Sequence, residues 1–124
     1  MQKIFLLIAS FMGALSVGIG AFGAHGLKNF LLVHQKTEVF ETAVKYQFYH
    51  TFALLVVGLL MTHIQGKWLV YSGWSFVAGT LIFSGSLYAL SLTGIKALGA
   101  ITPLGGVALI AGWVLLGIGI YRVI

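Results

Sequence analysis

Glu38–His50 (EVFETAVKYQFYH) is the stretch whose residue types could do chemistry. It holds both acidic residues of the chain, Glu38 and Glu41, beside Lys45, Tyr46, Gln47, Tyr49 and His50. A carboxylate with an imidazole is a general acid–base pair. A Glu–Lys pair could couple to protons or hold a charged substrate, and a histidine could relay protons or ligate a metal. The run leads directly into the apolar segment Thr51–Met61 (TFALLVVGLLM). Charge at the mouth of a hydrophobic span is costly and has a reason.

Helical geometry at 100° per residue divides this run. Glu38, Glu41, Lys45 and Tyr49 share one stripe, on the early turns, where they can reach the membrane interface. Ala43, Tyr46, Gln47 and His50 lie on another, with His50 roughly opposite Glu41. Spacing therefore excludes a Glu41–His50 acid–base pair within one helix. Gln47 and His50 sit deeper, so they are expected to face other helices. The expected partners of His50 are His25, Ser84, Ser86, Tyr88 or Thr102.

The elements that carry these residues follow from composition. The chain has 124 residues, 60% hydrophobic and 7% charged. Soluble domains carry about 25% charged residues, so the bilayer is the solvent this composition fits. The net charge of +5 comes from seven scattered Lys and Arg. They read as interfacial anchors, and no nucleic-acid partner is expected. With no cysteine there is no disulfide or thiolate chemistry.

Four apolar spans are expected, at about 4–24, 48–64, 68–92 and 98–121. Each is long enough to cross ~30 Å of hydrocarbon. Together they make a single transmembrane domain, 1–124. Lys3, the following apolar run and the small residues near Gly20–Ala24 resemble a signal peptide, but the segment is read as the first span. Short links imply antiparallel neighbours, hence an all-α, up-down-up-down bundle. Leu27, Phe30, Leu31 and His34 follow helical spacing, which suggests a short interfacial helix between spans one and two. Thr37 is the expected N-cap of the next helix, and Glu41 and Lys45 form an i,i+4 pair.

Small residues repeat every four positions: Ser16, Gly20 and Ala24; Ala14 and Gly18; Ser75 and Gly79; Ala108 and Gly112. Such stripes let helix backbones approach, and packing within one chain is favoured over a dedicated dimer face. Trp68, Trp74, Tyr71 and Tyr121 are candidates for interfacial belts, whereas Trp113 lies deep enough to pack internally. Pro103 admits two readings. Either Thr102 caps a helix with Pro103 at its first position, or a helix from Leu98 is kinked there. Lys3, Lys67 and Arg122 fall on one membrane side, and Lys28, Lys36, Lys45 and Lys96 on the other. That is a weak orientation signal, leaning towards both termini outside the cytoplasm.

Connectivity gathers the polar residues. The end of span one, start of span two, end of span three and start of span four share one side. They hold GAFGAHGLK (Gly20–Lys28), ETAVKYQFYH (Glu41–His50), SGSLYAL (Ser84–Leu90) and LGAITPLGG (Leu98–Gly106). At these segments the chain resembles the YgdD/YwdK-type small bacterial membrane proteins, a domain-of-unknown-function family. The matching residues are Gly20–Gly26, Tyr46-Gln47 with Tyr49-His50, Ser84–Tyr88, and Leu98–Pro103 with Gly105-Gly106. The resemblance spans the chain and implies a four-helix integral membrane protein. It carries over no activity or catalytic residues.

The candidate polar-network or ligand residues are His25, Glu41, Lys45, Tyr46, Gln47, His50, Ser84, Ser86, Tyr88 and Thr102. For the histidines a hydrogen-bonding structural role is favoured, since no HExxH or third ligand accompanies them. For Glu41 and Lys45 a rim pair is favoured. For Ser84, Ser86, Tyr88 and Thr102 interhelical hydrogen bonds are favoured, and no G-x-S-x-G elbow supports a hydrolase. Gly20–Gly26 follows a membrane helix rather than a strand, so it is no phosphate loop. The expected function is non-enzymatic binding of a lipid-like or small amphipathic ligand near one membrane face, without a cofactor. A homo-oligomer is expected, because four helices leave little interior space. A small oligomeric transporter or channel subunit is the alternative, and a membrane enzyme acting on lipid or quinone is the weaker one. The expected location is a bacterial inner or plasma membrane, crossed several times.

Overall fold

The computed structural model describes residues 1–123. Four long helices dominate: α1 (Gln2–Ala24), α3 (Thr37–Leu60), α4 (Lys67–Thr93) and α5 (Thr102–Tyr121). A short helix, α2 (Lys28–Val33), links the first two, and a 3₁₀ turn (Lys96–Ala100) precedes the last. Four segments are long and apolar enough to cross a membrane, so the all-α four-helix bundle is as expected. The short helix expected between spans one and two is present: α2 buries Leu31 and leaves Leu32 and Val33 exposed.

The helices pack in chain order, α1 on α3, α3 on α4, α4 on α5. This makes α3 and α4 the inner pair, and their membrane windows are the most buried, at 44% and 33%. The buried positions of α1 are Phe5, Ala9, Met12, Ser16 and Gly23, stepping by four, three, four and seven. On α5 they are Gly105, Leu109, Gly112, Leu116 and Gly119, in alternating steps of four and three. A 3.5-residue repeat of this kind is the seam of a left-handed bundle with crossing angles near +20°. The core between the seams is filled by Phe5, Leu54, Val57, Leu69 and Phe76.

Glycine sets the α4–α5 spacing. A Cβ on Gly105 would lie 2.4 Å from the Phe83 backbone nitrogen, and one on Gly79 would lie 2.9 Å from that of Leu109. The two backbones touch because neither position has a side chain. Of the expected small-residue stripes, Gly79 and Gly112 serve this contact, while Ala14 and Gly18 face outward.

The second span is one continuous helix, Thr37–Leu60, with the charged run as its first turns, as the sequence led one to expect. Glu38 in its first turn offsets the helix dipole, so the charged residues extend the helix instead of ending it. Two helix caps differ from expectation, each by one residue. Lys36 occupies the N-cap position and Thr37 is the first helical residue, without a capping bond. At Pro103 the helix begins: Pro103 sits in the first turn of α5, where its missing N–H is no loss, and Ile101 takes the cap position instead of Thr102. The α3–α4 link turns at Gly66 (φ 137°), and α4 ends on the left-handed Gly94 (φ 71°), whose N–H reaches Leu90 O at 2.8 Å.

Candidate functional site

The polar residues separate into one structural cluster and two grooves. The structural cluster joins α3, α4 and α5. His50 is buried on α3, and its Nδ1 lies 2.7 Å from Tyr46 O one turn back. Its Nε2 lies 3.1 Å from Trp113 Nε1. An indole N–H only donates, so Nε2 must be the unprotonated, accepting nitrogen and Nδ1 carries the proton. Both ring nitrogens are thereby used, and neither is left for a metal or a travelling proton. The expected partners of His50 (His25, Ser84, Ser86, Tyr88 or Thr102) are not the ones found, although α5 does supply the partner. Trp113 reaches that partner from a half-exposed position, its ring edge-on to Phe76 at 5.1 Å, so it is not the internal tryptophan expected. Ser86 and Thr102 bond to each other across α4 and α5 at 2.6 Å. Tyr46 stacks on Phe83 and is partly exposed.

Gln47 ties α1, α3 and α4 together. Its Nε2 donates to Met12 O at 3.1 Å, and its Oε1 accepts from Tyr88 OH at 2.6 Å. Ser84 Oγ donates to Ala43 O at 2.7 Å. These three side chains edge a cleft of about 380 Å³ between α1 and α4. The cleft exists because α1 packs on α3 much more than on α4.

The second groove, of about 400 Å³, lies at the interface end, between the last turns of α1, α2 and the first turns of α3. Gly20, Gly23, Leu31, Phe40 and Val44 give it apolar walls. Lys28, Glu41 and Lys45 stand on its rim. Gly23 lets the Phe40 ring seat directly on α1, since a Cβ there would strike the ring. Thr37 lines it too, and its Oγ1 is buried with no hydrogen-bond partner. The volume lies within the ordinary ligand range of about 300–1,000 Å³, so a single chain forms a groove of that size without a second copy.

The expected residues thus divide. Glu41 and Lys45 both line the interface groove. Gln47, Ser84 and Tyr88 come together on the cleft between α1 and α4. His50, Ser86 and Thr102, with the partly exposed Tyr46, belong to helix packing. His25 is exposed at the end of α1 and joins none of these. Among the described residues no three His, Cys, Asp or Glu side chains converge on a metal-sized point. Sequence reasoning missed Trp113, Thr37 and Thr80. Their hydrogen-bonding capacity was visible in their residue types, but which neighbour they would meet depended on the helix register.

A four-helix bundle whose four long helices are each long and apolar enough to cross a membrane defines a small membrane protein. The chain belongs to the family described as "Protein of unknown function (DUF423)", whose model matches residues 19–106. It is 45% identical over 123 residues to the UPF0382 membrane protein SAB0533 of Staphylococcus aureus (strain bovine RF122 / ET3-1), covering 98% of each chain. It is also 45% identical to the UPF0382 membrane protein YwdK of Bacillus subtilis (strain 168), covering 93% of this chain and 94% of that one. No solved structure matches it significantly.

Proposed function

We propose that this protein binds an amphipathic, lipid-like ligand in the interface groove between α1, α2 and α3, as a non-enzymatic protein of the bacterial inner or plasma membrane. The observation that carries this reading is the groove's pairing of apolar walls with a charged rim at one membrane face. An acyl or similar chain would lie against Leu31, Phe40 and Val44. Its polar group would meet Lys28, Glu41 and Lys45, and the Thr37 hydroxyl is a further polar contact beside them. Burying an unpartnered hydroxyl is unfavourable by about 1–3 kcal/mol, which a ligand oxygen would relieve. The apolar core supports binding over conduction through one chain. Transport between subunits would need an oligomer, for which the outward Ala14–Gly18 stripe of α1 is the available small-residue surface.

Native mass spectrometry on protein extracted with its lipids tests this. The wild type is expected to carry a lipid-sized adduct. Ala24→Leu, which places bulk at the groove's exposed edge, is expected to remove it, and Lys28→Gln with Lys45→Gln to weaken it. A wild type that carries no adduct, or an adduct indifferent to Ala24→Leu, would overturn the proposal.

A further inference from the structure

The cleft between α1 and α4 is a separate opening, and its chemistry differs from that of the interface groove. Lys28, Glu41 and Lys45 are all on the other groove; the cleft has no charged residue on its wall. Its sides are Ile8, Phe11, Leu15, Val77 and Leu81, and Phe11 and Leu81 are 64% and 71% exposed, so it opens sideways to lipid.

Thr80 makes this cleft unusual. It is 6% exposed, yet its Oγ1 has no hydrogen-bond partner. The buried hydroxyls of Ser16, Thr51, Ser72, Ser84 and Ser91 all find a backbone carbonyl. Hydrocarbon offers no water to replace a missing partner. Gln47, on the same wall, gives only one of its two amide protons to Met12 O, while its oxygen is taken by Tyr88. Ser84 has already donated its proton. The spare capacity beside the cleft is therefore the Thr80 hydroxyl, which can donate or accept, and one N–H of Gln47, which only donates.

Depth restricts what can answer those groups. Thr80 is the midpoint of α4, thirteen residues from both Lys67 and Thr93. At 1.5 Å per residue that is about 20 Å from either end, near the bilayer centre. The esters and head of a phospholipid stay at the interface, and a charged group would not enter an uncharged cleft at this depth. From this we infer that the α1–α4 cleft is a binding site for an uncharged, membrane-soluble carbonyl compound of the quinone class, its carbonyl oxygen accepting from Thr80 Oγ and Gln47 Nε2. The volume of about 380 Å³ accommodates a substituted ring with the start of its tail. The tail leaves between Phe11 and Leu81 into lipid. The site needs no covalent or redox step, and it stands independently of the interface groove.

The test is equilibrium titration of the full chain, in nanodiscs, with decylubiquinone as probe and decylbenzene as the matched compound without a carbonyl. Saturable binding of the quinone is expected, with decylbenzene weaker by about tenfold, the equivalent of one hydrogen bond. Thr80→Val exchanges the unpartnered hydroxyl for a methyl and should fold normally; it is expected to lose the same tenfold, and Thr80→Ser to restore it. Gly85 lines the cleft and a Cβ there meets nothing within 4 Å, so Gly85→Leu fills the space and should abolish binding while helicity and thermal midpoint hold. Ala24→Leu, in the interface groove, should leave quinone affinity unchanged. Non-saturable uptake, equal binding of the two probes, or affinity indifferent to both Thr80→Val and Gly85→Leu would overturn the inference. So would a Thr80-dependent dimer with no effect of quinone, since the occupant would then be a second copy of the chain.

Discussion

Replacing Gly105 by alanine should separate the two helices that pack most closely. The added Cβ would lie 2.4 Å from Phe83 N and 2.8 Å from Phe83 Cα, against an ordinary contact of at least 3.4 Å. Both near atoms are backbone, so no rotamer change relieves the clash, and α4 and α5 must part locally by about 1 Å. A gap of that order forfeits a quarter to a half of the dispersion energy of the atoms facing it, and overpacking of this kind typically costs ~1–3 kcal/mol. The Ser86–Thr102 hydrogen bond, at 2.6 Å, crosses the same end of the seam and would lengthen, losing about 0.6 kcal/mol. Alanine returns about 0.5–1 kcal/mol through helix propensity. The net expectation is a loss of about 2 kcal/mol, roughly 30-fold in the folding equilibrium. Gly117 is the control, because a Cβ there meets nothing within 4 Å and only the propensity gain remains. Unfolding in mixed micelles by increasing SDS fraction, followed by tryptophan fluorescence, reads both. Gly105→Ala unfolding at or above the SDS fraction of Gly117→Ala would refute the backbone contact.

Trp113→Phe keeps the ring against Phe76 but removes the donor to His50 Nε2, so about 0.6–2 kcal/mol should be lost. In the wild type, ¹⁵N NMR of His50 should show the proton on Nδ1; a proton on Nε2 would exclude the Trp113 bond. Ser84→Ala removes the α4-to-α3 bond to Ala43 O and should cost about 0.6–1.7 kcal/mol in the same SDS assay. Pro103→Ala should change stability by no more than about 0.5 kcal/mol, because the first turn of α5 already lacks partners for its N–H groups. A gain approaching 3 kcal/mol would instead mark a kinked helix interior.

Most of the fold was legible because the bilayer demands it. Hydrophobic length fixes the number of spans and short links fix their antiparallel order. What stayed hidden was the seam. Gly105, Leu109, Gly112, Leu116 and Gly119 repeat in steps of four and three, and a search for small residues four apart picks out Ala108 with Gly112 instead. In water the apolar stripe would mark the buried face. Here lipid is as apolar as leucine, so the outward Leu104, Val107 and Ile110 look no different in sequence from the inward Leu109.

The candidate sites were less legible, for a reason that lies in how hydroxyls behave in hydrocarbon. Polar residues in a span suggest function, yet most of those here answer to the backbone. Ser16, Thr51 and Ser91 each bond the carbonyl four residues back on their own helix, and Ser72 and Ser84 reach the carbonyl of a neighbouring helix. Such residues hold helices together or stay silent, and residue type alone does not separate them from a binding group. The separation comes from satisfaction. Of the described side chains, the buried oxygens left without a partner are Thr37 Oγ1 and Thr80 Oγ1. One lines the groove between α1, α2 and α3 and the other the cleft between α1 and α4. An open volume in a small membrane bundle can be a packing defect that lipid tails fill. An open volume with an unanswered hydroxyl on its wall is a different object, because a hydrocarbon tail cannot relieve that hydroxyl and a ligand oxygen can.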